Sequence, residues 1–182
     1  MPRKADPNLE RSIIDAAIRL LEKGGLEAIT MREVAKAART TTPTLYERFT
    51  DRDALLGAIT DIYRDELGRR FDQDDSIEQM GSKFLEFCVE KPYAIELLIE
   101  RVAQNLKGDV KGPIYGMVRT NLMKLSGFPP KQAEELTLAT TSTITGAALM
   151  MSRLGCTSRA SRELHNATVK LLRRVAMSNT KR

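Results

Sequence analysis

The sequence contains little histidine, cysteine or tryptophan. Its 182 residues include one histidine, two cysteines and no tryptophan. Two cysteines, Cys88 and Cys156, are too few for a disulfide framework, which favours a reduced, cytoplasmic protein. No run of about 18 apolar residues is present, so we expect neither a transmembrane helix nor a membrane partner. Residues 1–6 also lack the apolar segment of a secretory signal.

Patterns that carry catalysis are missing as well. The sequence has no glycine-rich phosphate loop, no cysteine and histidine spacing typical of a metal site and no nucleophile elbow. His165 lies in a basic segment, where a surface or interface position is more common than a catalytic one. Cys88 lies on an apolar stripe and is expected to act as a small core hydrophobe. We therefore expect no enzyme, no cofactor and no metal.

The net charge of +5 is unevenly distributed along the chain. The last thirty residues carry eight basic residues and one acidic residue, whereas residues 1–52 carry ten basic and eight acidic residues. A basic terminal run is compatible with nucleic-acid contact, but such runs are often only solvated ends. Charge by itself therefore does not decide between these two interpretations.

Apolar residues recur at helical spacing along the whole chain, and no strand-like alternation is found. Helices are predicted over residues 7–23 and 77–89, and Pro92 restarts a helix after the second of these. The polar cluster at residues 72–76 is the predicted domain boundary. We therefore predict an all-α protein.

The segment 30–56 predicts two short helices joined by a tight turn. Thr30 and Glu33 have the spacing of a capping box at the start of the first helix. A run of three threonines interrupts that helix, and Pro43 fits the first position of the next one, with Thr42 as its predicted N-cap. Two short helices joined in this way form a helix-turn-helix, whose second helix can enter a DNA major groove.

This segment and its flanks resemble the tetracycline-repressor (TetR) family of one-component transcriptional regulators. The anchors that match, in the family's order, are Arg11, Ile14, Ala17, Gly24, Gly25, Ile29, Thr30, Met31, Val34, Ala35, Thr42, Pro43, Thr44, Leu45, Tyr46, Phe49, Arg52, Leu55 and Leu56. Two residues depart from the pattern. Arg39 stands in the turn where the family often has glycine, and Glu47 stands where an aromatic residue or histidine is common.

The resemblance implies two helical domains. Residues 1–52 would form an N-terminal three-helix helix-turn-helix DNA-binding domain, and a helix over about 52–71 would connect it to the remainder. Residues 72–182 would form a C-terminal effector-binding and dimerisation domain.

The resemblance also assigns DNA contacts by residue type. The residues expected at the DNA are Thr30, Thr41, Thr42, Pro43, Thr44, Tyr46, Glu47, Arg48 and Arg52. Arg48 has a planar donor fork that fits guanine O6 and N7. Pro43 and the Thr44 methyl group can pack on a thymine methyl, and Thr42 could contact either a base or a phosphate. Glu47 could accept from cytosine N4, repel phosphates or brace Arg48.

Phosphate contacts that set the register are expected from Thr30, Thr41, Tyr46 and Arg52. Each of these residues also has a structural interpretation when taken singly. Tyr46 could simply pack against its neighbours, and Thr30 could serve only as a helix cap.

An effector pocket is implied between the helices of residues 77–126. Its candidate residues are Phe84, Phe87, Cys88, Ile95, Leu98, Ile99, Met117 and Asn121. They are apolar apart from Asn121, which would orient a hydrophobic or amphipathic small molecule. An apolar stripe at helical spacing is also typical of an ordinary core.

The segment from Leu136 to Ser152 contains no charged residue. A helix this uncharged on all sides should be covered on most of them. By resemblance, the last two helices form a homodimer interface, although a helix buried within a monomer would show the same pattern. The dimer is favoured because paired half-sites multiply the few contacts of one recognition helix.

A TetR-like chain is expected to be a ligand-responsive transcriptional regulator, with repression as the family default. It would bind a palindromic operator as a dimer and be released by a small hydrophobic effector. The alternative is a TetR-like helical protein that acts through a protein partner and not through DNA. Thr44, Tyr46 and Arg52 speak against this alternative, because such a protein has no need of phosphate contacts.

Overall fold

The computed structural model describes residues 7–99, 113–124 and 126–178, and all regular structure in these ranges is helical. The prediction of an all-α protein is therefore confirmed. The elements are α1 (Pro7–Gly24), a 3₁₀ turn (Leu26–Ala28), α2 (Met31–Ala37), α3 (Thr42–Tyr46), α4 (Arg52–Gly68), α5 (Ile77–Glu90), α6 (including residues 94–99), α7 (Pro113–Lys124), α8 (Pro130–Leu154) and α9 (Arg159–Met177). None of the helices in the described ranges is long and apolar enough to cross a bilayer.

The chain divides between Tyr63 and Arg64 into two compact units. We call them the N-terminal unit and the C-terminal unit. The division lies inside α4, within the 52–71 stretch that we expected to connect two domains.

The core of the N-terminal unit follows from helical periodicity. On α1 the fully buried residues are Ile13, Ala16, Ala17 and Leu21, whose spacings of three and four place them on one face. Gly25 ends α1 with a φ of 68°, a left-handed conformation that glycine adopts without steric cost.

Side-chain caps define where the short helices begin. Thr30 Oγ1 accepts from the Glu33 amide at 3.2 Å, so the threonine half of the expected capping box is present. The predicted N-cap of α3 is wrong: Thr41, not Thr42, caps this helix, and its Oγ1 accepts from the Thr44 amide at 3.3 Å. Pro43 then occupies the second helical position, where an N–H also has no partner within the helix.

The turn between α2 and α3 keeps a left-handed residue even though it lacks glycine. Arg39 has a φ of 55°. The Thr40 amide donates to the Ala35 carbonyl at 2.9 Å. This is the hydrogen bond of the Schellman motif, which ends a helix when the residue after the C-cap is left-handed. Arg39 stands where the family often has glycine. The turn therefore stays left-handed, and the arginine side chain adds steric strain.

We predict that Arg39→Gly stabilises the N-terminal unit by about 0.5–1 kcal/mol. Relief of a left-handed L-residue, worth roughly 1–2 kcal/mol, exceeds the entropy cost of glycine, about 0.5–1 kcal/mol. The measurement is urea unfolding followed by circular dichroism. Arg32→Gly is the matched control, because Arg32 is exposed in the first turn of α2, where glycine brings its entropy cost with no left-handed residue to relieve. Equal destabilisation by both substitutions would contradict the strain at Arg39.

In the C-terminal unit, α5 packs against α8 and α9. Gly81 on α5 allows this approach, because a Cβ atom there would collide with the Leu172 side chain of α9. The two helices are also joined by an ion pair in which Arg173 Nε donates to Glu78 Oε2 at 2.8 Å. This pair holds the pKa of Glu78 below its ordinary value, chiefly through the hydrogen bond from Arg173.

Helix α8 buries polar side chains without leaving their hydroxyl groups unpaired. Thr137 and Thr140 are buried, and their Oγ1 atoms donate to the carbonyls of Ala133 and Leu136, each at 2.6 Å. Bonding to the carbonyl four residues earlier satisfies the hydroxyl within the helix itself. The threonine-rich composition of α8 is therefore compatible with burial.

Candidate nucleic-acid interface

One face of helix α3 packs into the core of the N-terminal unit, and the opposite face is exposed to solvent. Leu45 is fully buried, and Phe49, which follows the helix at a spacing of four, is 6% exposed. On the other side, Tyr46 is 50% exposed, and Pro43 and Glu47 are exposed with it. Half of the Tyr46 side chain is therefore open to solvent.

The hydroxyl groups at the start of α3 are partly engaged with each other. Thr41 Oγ1 and Thr44 Oγ1 lie 2.9 Å apart and share a hydrogen bond. One hydroxyl hydrogen is used in this bond, whichever oxygen donates, and each hydroxyl carries only one. The pair therefore retains one O–H that can donate to a phosphate oxygen.

Arg48 is half-buried beside the end of α3. Its Nε atom is buried, and none of the described residues accepts a hydrogen bond from it. The guanidinium group is therefore not fixed through this nitrogen. A buried donor without an acceptor costs about 1–3 kcal/mol.

Arg52 has a structural role that the sequence did not indicate. Its Nε donates to the Ile29 carbonyl at 2.8 Å, and its Nη2 donates to the Leu26 carbonyl at 2.7 Å. The side chain thus joins the first residue of α4 to the 3₁₀ turn more than twenty residues earlier. A phosphate contact from Arg52 stays a prediction for its remaining N–H groups.

We predict that Arg52→Ala destabilises the N-terminal unit by roughly 2–4 kcal/mol, because two hydrogen bonds from a charged donor, worth about 1.5–3 kcal/mol each, are only partly additive. Urea unfolding without DNA measures this loss. Arg32→Ala, at an exposed position of α2, should change the stability by less than about 0.5 kcal/mol. If Arg52→Ala has the same free energy of unfolding as the wild type, the two hydrogen bonds to backbone carbonyls contribute nothing to stability.

The C-terminal unit contains a cleft of about 500 Å³ beside α5 and α7. It is lined by Asp72, Gln73, Asp74, Met80, Gly116, Met117, Thr120, Asn121 and Lys124. Two of the expected effector residues, Met117 and Asn121, are therefore brought together here. The sequence had indicated residues 72–76 only as a domain boundary, although the polar cluster there was visible.

The other expected effector residues lie outside the lining of this cleft. Phe87, Cys88, Ile95 and Leu98 are buried in the core, and Phe84 and Ile99 are half-buried. Burial raises the pKa of the Cys88 thiol to about 12, so the thiol is protonated at neutral pH. Cys156 Sγ lies 3.7 Å from the Cys88 carbonyl, to which it donates.

An ion-pair cluster holds one edge of the cleft in place. Lys83 Nζ lies 2.9 Å from Asp72 Oδ2 and 2.7 Å from Asp75 Oδ2. Hydrogen bonds to Asp75 and then Asp72 raise the pKa of Lys83 above its ordinary value. Asn121 Nδ2 donates to the Asp75 carbonyl, which ties this edge to α7. In the described ranges, no three histidine, cysteine or acidic side chains are arranged to hold a metal.

Comparisons with known proteins agree with this geometry. Residues 13–59 match the sequence profile described as bacterial regulatory proteins, tetR family. No curated protein sequence compared with the chain is significantly similar to it.

Solved structures similar to the chain over almost its whole length share its fold. A TetR variant of Acinetobacter baumannii AYE in complex with minocycline has 19% identity and a TM-score of 0.69, with 96% of each chain covered. The regulator SCO7222, a TetR from Streptomyces coelicolor, has 16% identity and a TM-score of 0.71, with 93% of this chain and 98% of that chain covered. The fatty acid degradation regulator FadR of Bacillus halodurans has 17% identity and a TM-score of 0.63, with 93% and 96% covered.

The helix-turn-helix of α2 and α3, the match over residues 13–59 and the shared fold agree with one another. Residues 13–59 therefore match the tetR family of bacterial regulatory proteins, and the chain shares the fold of solved TetR structures.

Proposed function

We propose that this protein represses transcription by binding a palindromic operator as a homodimer and releases the DNA when a small effector binds. The observation that carries the DNA contact is the exposed face of α3. Pro43, Tyr46 and Glu47 are exposed on a short helix that Leu45 anchors from behind. This arrangement leaves base-reading and phosphate-binding side chains on one accessible surface.

Each predicted contact has a role on this surface. Arg48 reads a guanine in the major groove, and Pro43 and Thr44 pack on a thymine methyl group. Thr30, the Thr41–Thr44 hydroxyl pair, Tyr46 and the remaining N–H groups of Arg52 bind phosphates. Thr42 and Glu47 complete the surface beside them.

The dimer contact is supported by an uncharged face of α8. Its exposed residues are Leu138, Ala139, Ser142, Thr143, Gly146, Met150 and Leu154. Met150 is 56% exposed and Leu154 is 48% exposed, so packing within one chain leaves this face open. The neighbouring helix α9 exposes Leu171. A second copy related by two-fold symmetry would cover this face and give a self-complementary interface.

The effector is proposed to bind in the cleft of the C-terminal unit. Its volume of about 500 Å³ suits a small molecule. The A. baumannii relative is in complex with minocycline, which supports a small-molecule effector for the present chain. An effector can release the operator only if it binds the form with low DNA affinity more tightly than the other form.

The test of DNA binding is a titration of labelled duplex from upstream of the protein's own gene. It is made at near-physiological salt with excess nonspecific competitor. Binding that resists competitor, weakens with added salt and maps to a two-fold-symmetric site supports the proposal. If this duplex and a genome-wide selection both yield no specific site, the proposal is wrong and a protein partner becomes the better explanation.

We predict that Arg48→Ala weakens operator binding by roughly 1–3 kcal/mol and relaxes the preference at one base position, because it removes a bidentate guanine contact. Titration of a set of operators, each changed at one base pair, measures both effects. Lys131→Ala is the control, since Lys131 is exposed in the first turn of α8. Unchanged operator binding by Arg48→Ala would refute the assignment.

We predict that Met150→Asp shifts the protein from dimer to monomer, because a carboxylate on the α8 face would lose its hydration in the interface. Sedimentation velocity measures the change, and circular dichroism checks that the helices persist. Ile62→Asp is the control, because Ile62 is an exposed apolar residue of α4 outside this face. A dimer that survives Met150→Asp would place the interface elsewhere.

A further inference from the structure

The turn between α2 and α3 carries a charged side chain at a left-handed position, where glycine would cost the fold less. We propose that Arg39 binds a DNA phosphate at the edge of the groove that α3 enters. A glycine in this turn could not make such a contact. The inference rests on the proposed function, because it takes α3 as the helix that lies in the major groove.

The backbone of Arg39 supplies the first argument. Its φ of 55° lies in the left-handed region, which residues other than glycine rarely adopt. The bond from the Thr40 amide to the Ala35 carbonyl fixes the turn in this form. Left-handed residues other than glycine cluster at functional sites, where the surrounding structure holds them in place. The strain at Arg39 therefore points to a role for its side chain outside the fold.

The side chain of Arg39 supplies the second argument. It is exposed, and none of the described residues forms an ion pair or a hydrogen bond with its guanidinium group. Arg52, by contrast, uses its guanidinium group to join two parts of the N-terminal unit. All five N–H donors of Arg39 thus remain available to an external acceptor. Their planar fork matches the oxygen atoms of a phosphate group.

The position of the turn supplies the third argument. Arg39 precedes Thr41, the N-cap of α3, by two residues, so their Cα atoms lie at most about 7.6 Å apart. The N-terminal residues of a recognition helix are the ones that contact the base edges. A helix of about 10–12 Å diameter fills a major groove of about 12 Å width, so a residue just outside its N-terminal end lies near the bordering phosphates. The long side chain of Arg39 can span the remaining distance.

The charge balance of the helix-turn-helix supports the same contact. Residues 31–49 contain four cationic side chains and two carboxylates. Arg39 thus supplies half of the net positive charge of this segment. Glu47 is exposed on the same surface, where its carboxylate weakens the attraction to phosphates. A cation in the turn offsets this repulsion.

Titration of specifically bound operator DNA at several salt concentrations tests the proposal. Between about 50 and 200 mM salt, the binding constant falls with a slope set by the number of phosphate contacts. Arg39→Asn removes the charge while keeping a residue that tolerates the left-handed backbone. We expect this variant to bind about three- to tenfold more weakly at near-physiological salt. Its salt slope should fall by about 0.9 for each protomer, or about 1.8 for a dimer on two half-sites.

Further variants separate the charge from the backbone. Arg39→Gly is expected to stabilise the N-terminal unit, yet it should lose as much affinity for DNA as Arg39→Asn. Arg39→Lys should keep the salt slope and most of the affinity, because an ammonium group also binds phosphate as a point charge. Lys131→Ala is the matched control, since it removes one exposed positive charge from the C-terminal unit and should leave the salt slope unchanged.

Three results would overturn the phosphate contact. The first is an unchanged affinity and salt slope in Arg39→Asn. The second is a loss in Arg39→Gly that Arg39→Asn does not share, because glycine flexibility would then be the cause. The third is a loss in Arg39→Lys equal to that in Arg39→Asn, because the positive charge would then have no role.

The wild type separates this inference from the proposed function. Specific binding by the wild type, combined with any of these three results, overturns the contact of Arg39 and leaves the proposed regulator intact. A wild type that binds no DNA specifically overturns the proposed function, and the contact of Arg39 falls with it.

Discussion

In the N-terminal unit, helix α3 is too short to be stable alone and depends on the residues that pack around it. Helix α3 has five residues, far below the length at which an isolated helix persists in water. Its orientation comes from Leu45 and Phe49 in the core and from the Thr41 cap. Arg52 holds the start of the next helix against the 3₁₀ turn. Because the exposed face of α3 is positioned by this packing, its geometry depends on the buried side chains of Leu45 and Phe49 behind it.

Local patterns predicted most of the elements. The three- and four-residue spacing of apolar side chains located α1 and α5, and the residues Thr30 and Gly25 marked a helix start and a helix end. These features depend on neighbours within one turn of helix, which a sequence displays directly. The N-cap of α3 was misplaced by one residue because Pro43 is tolerated at either of the first two helical positions.

Other features depend on tertiary contacts and were not predictable. The hydrogen bonds of Arg52 go to backbone carbonyls. Every residue has such a carbonyl, so no pattern of side chains indicates which ones Arg52 contacts. Asn121 bonds through its amide nitrogen to the Asp75 carbonyl, 46 residues away along the chain, and no local pattern reports such a contact. The family resemblance implied a mostly apolar pocket, yet polar side chains from residues 72–74 line the cleft as well. A stripe of apolar residues does not show which of its members border open space.

The back-bonded threonines of α8 have a consequence for association. Thr143 is on the exposed face, and its hydroxyl already donates to the Ala139 carbonyl at 2.8 Å. Removing water from such a hydroxyl costs little, since its hydrogen bond is retained in a dry environment. The same face has no formal charge from Leu138 to Met150, so no ion would have to shed its hydration shell. Covering this face with another helix, or exposing it to water again, would therefore meet only a small electrostatic barrier.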